Sequence, residues 1–148
     1  MDDIKRTIKD LNELPEKRAA LVNIPEKIKI LEMRFGSIKA AKTDGDPVTG
    51  GTFNREDMLI QNIEARAELK KNLEITRKEV ALLEKALDSL RPNERRVLTR
   101  FYIYQEKRAA ERLSAELGYE PAQIYRIKKA ALESLARRLY GQVKSDEE

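Results

Sequence analysis

Apolar residues stand at Leu21, Ile24, Ile28, Leu31, Phe35 and Ile38, at intervals that alternate three and four. That alternation is the heptad spacing of a helix that buries one narrow seam against another helix. It excludes a strand, whose side chains alternate with a period of two. Ile4, Ile8 and Leu11 carry a helical stripe towards the N-terminus. Pro15 and Pro25 interrupt it; each lacks an N–H and disfavours a helical residue before it. The expectation is three helical pieces, near 2–14, 16–23 and 25–40, with a kink or break at each proline. Pro25 suits a first helical turn.

The second long pattern runs from about 55 to 89, with Leu59, Ile63, Leu69, Leu73, Val80, Leu83, Leu87 and Leu90 as its stripe and Thr76 at one seam position. A helix of that length reaches roughly 50 Å at 1.5 Å per residue, and its stripe must be covered. The seam leaves two partners open: the helical segment before the loop, folding back as an antiparallel hairpin, or the same helix of a second copy. Between the patterns lies Thr43-Asp44-Gly45-Asp46-Pro47-Val48-Thr49-Gly50-Gly51, with three of the six glycines of the chain. It is a connecting loop, without the alternating acids and distal Glu of a calcium loop. Asn54 or Thr52 can cap the following helix, with Glu56 and Asp57 in its first turn.

Composition removes whole classes of function. The 148 residues contain no Cys, no His and no Trp. No disulfide framework, zinc finger, Ser-His-Asp or Cys-His site can be built. No metal site, no cofactor and no catalytic constellation is visible, so an enzyme is the weakest class. With 38% charged residues, 5% aromatics, six glycines and five prolines, the chain reads as all-α. It has no membrane-length apolar run and a charged start, MDDIKRTIKD, so a cytoplasmic location is expected.

The net charge of +4 conceals a division. Residues 1–90 hold 17 basic and 17 acidic side chains, residues 91–141 hold 12 and 6, and residues 142–148 hold one and three. One segment is basic, as in a nucleic-acid-binding part joined to a neutral part. Within it, Pro92 opens a helix whose buried face is expected at Val97, Leu98, Phe101 and Tyr102. A helix over roughly 107–117 follows, with Ala110, Leu113 and Leu117 on one face. Gly118 stops it, and Pro121 opens a last helix ending near Gly141, with Ile124, Ile127, Ala131, Leu132, Leu135 and Leu139 inward. Helix, short Gly-containing turn and second helix make the helix-turn-helix signature. Around Gly118, the small Ser114 falls four residues before, and Ile124 and Ile127 fall six and nine after, as the packing of such a pair requires. Leu113 and Leu117 complete that core.

The outer face of the last helix remains for a ligand. Gln123, Tyr125, Arg126 and Lys129 are candidates for reading base edges in the major groove of double-stranded DNA. Arg95, Arg96, Lys107, Arg108 and Lys128 are candidates for phosphate contacts. Arg100 and Arg112 are basic too, although they can lie on other faces.

Residues 87–141 resemble region 4 of sigma-70-type factors. The likeness rests on Leu90-Arg91-Pro92-Asn93-Glu94-Arg95-Arg96-Val97-Leu98, on Ala115-Glu116-Leu117-Gly118-Tyr119, and on the exit from Ile127 through Ala131-Leu132 to Leu135. The layout, with its Asp46-Pro47-Val48-Thr49-Gly50-Gly51 loop, is similar to phage-encoded regulators of the RinA/ArpU type. The resemblance implies a DNA-binding activator of phage or prophage late genes that touches RNA polymerase. A sigma factor proper also reads the core promoter element nearest the start site, and no such region is seen, so an accessory role is implied. The expected organisation is a helical hairpin over 1–88 with its loop at 43–54, a three-helix helix-turn-helix part over 89–141, and a disordered acidic tail over 142–148. A homodimer through the N-terminal helices stays open. Two other classes compete: a DNA-packaging oligomer like a terminase small subunit, and a coiled-coil interaction protein that binds no DNA.

Overall fold

The computed structural model describes residues 2–41 and 54–141. The loop expected over 43–54, apart from Asn54, and the acidic tail over 142–148 lie outside these residues. Among the described residues every regular element is helical: α1 (Asp3–Ala40), α2 (Arg55–Asp88), α3 (Pro92–Leu98), a π-helical turn (Thr99–Ile103), α4 (Ala109–Leu117) and α5 (Pro121–Tyr140). None of these helices is long and apolar enough to cross a membrane.

By their contacts the described residues form two units, one within 19–77 and the other combining those of 1–18 and 78–148. In the first, Arg55 at the start of α2 donates from Nε to the carbonyl of Ile38 at 3.0 Å and also to that of Lys39. These are among the last carbonyls of α1, which its own backbone cannot satisfy. Further along α2, Asn62 Nδ2 donates to the carbonyl of Leu31 at 2.8 Å. As α2 advances, its partners on α1 recede.

The heptad of α1 is present, with Ile28 buried and Leu21, Ile24, Leu31, Phe35 and Ile38 half-buried. Its expected division into three pieces is corrected: α1 is one unbroken helix through Pro15 and Pro25. Each proline removes one intrahelical bond, but Leu11 and Leu14, beside Pro15, are fully buried, and Ile28 is buried one turn after Pro25. That burial offsets the loss.

In α2 one stripe residue is also corrected. Ile63 is 50% exposed and Asn62 is buried in its place. Counting back from Leu69 in steps of three and four gives Arg66, Asn62 and Leu59, so Ile63 falls off the seam. Asn62 Oδ1 accepts from Arg66 Nε at 2.8 Å, and the Arg66 guanidinium lies 4.8 Å from the Phe35 ring centre. This polar layer within an apolar seam is the arrangement that specifies register. Asn54 caps α2, its Oδ1 accepting from the Asp57 N–H at 2.8 Å.

The second unit carries the denser core. Leu98, Leu113, Ile124, Leu135 and Val97 are fully buried, with Ala131 and Ala136 beside Leu135 on α5. Val97, Ala109, Ala110, Leu113 and Ile124 form one cluster, with Phe101, Leu117 and Ile127 packed against it. At the other end of α5, Tyr140 donates to Asp10 of α1, and the Arg6 guanidinium lies 6.0 Å from the Tyr140 ring centre. Lys17 Nζ meets Glu79 Oε2 at 2.5 Å.

The buried face expected after Pro92 is corrected in part. Val97 and Leu98 are buried, but the third core residue is Ile103, while Phe101 and Tyr102 are half-exposed. The cause is the π-helical turn, in which the Tyr104 N–H bonds the Thr99 carbonyl five residues back at 2.9 Å. The wider turn adds a residue, so that Ile103 is buried while Phe101 packs against the edge of the core and Tyr102 is half-exposed.

Candidate nucleic-acid interface

The framework of the site is local. Gly118 ends α4 at φ 74° and ψ 21°, a left-handed conformation that glycine adopts without cost. Its N–H bonds the Ser114 carbonyl at 3.0 Å, while the Ser114 hydroxyl donates across the turn to the carbonyl of Tyr119. Ser114 therefore closes the turn as well as being small. Pro121 then opens α5, and Ile124 is fully buried beneath it.

With Ile124 fixed inward, the 3.6-residue period turns the N-terminal half of α5 outward at known positions. Gln123, Arg126 and Lys129 are exposed, and Tyr125 is 50% exposed. Gln123 and Arg126 are coupled, the Arg126 Nη1 donating to the Gln123 Oε1 at 3.1 Å. That bond engages one lone pair of the Gln123 amide oxygen and leaves its NH₂ group to donate. The two side chains line an open groove with Arg91 and Asn93 from the start of α3, and with Tyr119 from the turn. Arg91 and Asn93 were not singled out in the sequence, because nothing in its periodicity says that the start of α3 stands beside α5.

The basic residues divide. Arg96 and Lys107 are exposed and take part in none of the ion pairs described here. Arg95 pairs with Asp88 at 3.1 Å and Arg108 with Glu111 at 2.5 Å, both on the surface. Such pairs are worth roughly 0–1 kcal/mol and exchange readily for another anion. Arg108 also sits at φ 59°, which shortens the helix expected from 107 so that α4 starts at Ala109.

Arg100 and Arg112 are committed elsewhere. Arg100 bonds both Glu106 and Glu116, the latter at 2.6 Å, and Arg112 reaches Glu106 at 3.0 Å. The Arg100 side chain is only 16% exposed. The hydrogen bonds from Arg100 and then Arg112 hold the Glu106 carboxyl down to about 2. These charges tie the π-helical turn to α4 and leave a neutral patch.

Lys128 is also turned aside. Its Nζ lies 4.9 Å from the ring centre of Phe101, 5.0 Å from that of Tyr125 and 6.0 Å from that of Tyr102. Among the described residues, no group of three or more His, Cys, Asp or Glu side chains could hold a metal ion. Compared with protein-family models, curated proteins and solved structures, the chain matches none.

Proposed function

We propose that this chain is a sequence-specific double-stranded DNA-binding regulator of transcription. The observation that carries the reading is the exposed row Gln123, Arg126 and Lys129 on the first turns of α5, backed by the fully buried Ile124 and following the Gly118 turn. Recognition helices present their N-terminal residues to base edges in this way. Arg126 suits the paired acceptors of guanine, and Gln123 and Tyr125 complete the reading face. Arg95, Arg96, Lys107 and Arg108 supply the phosphate contacts that set register on the duplex.

On this reading residues 89–141 are a region-4-like helix-turn-helix part, and residues 1–88 an antiparallel coiled-coil hairpin. The resemblance to phage regulators of the RinA/ArpU type gives the biological setting: a late-gene activator of phage or prophage, acting in the cytoplasm, without enzymatic activity and in contact with RNA polymerase. The helical hairpin supports a homodimer, since Val22, Ile30 and Met33 on α1 are 69%, 50% and 72% exposed and fall within one sector of that helix.

The test is selection of bound duplexes from a random pool by the full chain, followed by titration of the winner and of a scrambled duplex. A consensus with a clear preference over the scrambled duplex is expected. Absence of binding to any duplex at low salt overturns the proposal.

A further inference from the structure

Lys128 is a basic residue on the candidate DNA-binding helix whose amine lies over rings. Tyr125 stands one turn before it on α5, and its ring lies 6.0 Å from that of Phe101 at an interplanar angle of 59°. Phe101, packed against the edge of the core, and Tyr102 both stand on the π-helical turn. The result is one cation within 6 Å of three ring centres, a distance at which the negative faces of aromatic rings attract it. A lysine held this way has its charge partly satisfied and its stem immobilised. The ring it shares with the exposed surface is that of Tyr125, which is fastened by Phe101 and Lys128 while remaining 50% exposed.

We propose that Lys128 is a positioning residue and not a phosphate anchor: with Phe101 it holds the Tyr125 ring as a rigid apolar platform that recognises the 5-methyl group of a thymine in the major groove. The inference rests on the DNA-binding reading above. A thymine methyl is the one apolar feature that a base pair presents in the major groove, and a fixed side-chain surface discriminates its presence better than a mobile one. A ring free to rotate away would lose that contact at little cost.

The experiment uses the full chain and a duplex selected by the wild-type protein, with each thymine replaced in turn by deoxyuracil, which lacks only the methyl group. Wild-type protein is expected to lose affinity roughly threefold to tenfold at one position and little elsewhere. Tyr125→Ala should abolish that loss. Lys128→Met should shrink it while leaving the slope of log K against log salt unchanged, and Lys128→Arg, which keeps a cation over the rings, should restore it. A thermal transition for each variant confirms that it is folded. If Lys128→Met instead flattens the salt slope by about one and keeps the deoxyuracil effect, Lys128 binds phosphate and the proposal is overturned. If the wild-type protein binds its duplex but no thymine methyl matters, the platform is overturned and the DNA-binding reading survives. If the wild-type protein binds no duplex, both fall.

Discussion

Arg126 and Gln123 stand one helical turn apart, and the bond between them decides what each can do. The guanidinium keeps its remaining N–H groups for a ligand, and the amide is oriented as a donor. Arg126→Ala should therefore cost about 1–3 kcal/mol of discrimination at one base pair, measured as the ratio of Kd for matched and single-mismatch duplexes. Gln123→Ala should relax a neighbouring position. Arg108 gives a contrasting case. Its φ of 59° is costly for any residue with a Cβ, by roughly 1–2 kcal/mol. Arg108→Gly removes that strain, at some cost in chain entropy, together with one proposed phosphate contact. Urea unfolding should show stability unchanged or higher, while DNA affinity falls by a similar factor for every sequence. A drop in stability with unchanged affinity would make Arg108 a structural residue only.

The turn between α4 and α5 is the element that aims the outer face of α5, the proposed reading face, and Gly118 is its pivot. A Cβ at Gly118 would meet nothing within 4 Å, so the cost of Gly118→Ala is the left-handed backbone alone, about 1 kcal/mol. A lowered urea midpoint with an unchanged m-value is expected. Gly118, Pro121 and the Asn54 cap were legible in the sequence because each acts through its own backbone or its near neighbours. The heptads were legible where they were regular. What escaped depends on tertiary context: the passage of α1 through two prolines, the polar Asn62 in a seam position, and the π-helical turn that buries Ile103 and leaves Phe101 at the edge of the core. Each breaks a local preference that burial elsewhere offsets. The same holds for the candidate site: the outward positions on α5 followed from its period, while the ion pairs of Arg100 and Arg112 depend on how the helices meet.

That ion-pair network makes a second element-scale prediction. The Glu106 carboxyl is lowered from the usual 4.5 to about 2, first by the bond from Arg100 and then by that from Arg112. A carboxyl lowered on folding contributes stability that is fully present above the unfolded value and lost as pH falls through the folded one. The urea midpoint should fall between about pH 4.5 and 2. In Glu106→Gln it should start lower and change less over that range. Equal acid sensitivity in the two proteins would remove Glu106 as a contributor. At high pH the opposite sign applies to Tyr140, which burial and then the bond to Asp10 push up to about 12. Its contribution is present below about pH 10 and lost towards pH 12.

At the scale of the whole molecule, the excess of 12 basic over 6 acidic residues in 91–141 overstates what a duplex can meet. Seven side chains in that segment have the composition of phosphate contacts: Arg95, Arg96, Arg100, Lys107, Arg108, Arg112 and Lys128. Arg100 and Arg112 are neutralised by Glu106 and Glu116, and Lys128 lies over rings. Four remain: Arg95, Arg96, Lys107 and Arg108. Each phosphate neutralised contributes about −0.9 to the slope of log K against log salt, because it releases condensed counterions from the duplex. A bound monomer should then show a slope of about −4, and a dimer on two half-sites about −7. In a dimer the half-sites should be centred one helical turn apart, roughly 34 Å, or a multiple of it. Light scattering of the complex separates the two cases, since it fixes the number of chains independently of the slope. A slope near −5 for a complex shown to contain one chain would mean that Glu106 and Glu116 surrender their arginines to the phosphates. A slope near −1 would mean that the basic segment is a solvated surface and not a DNA-binding one.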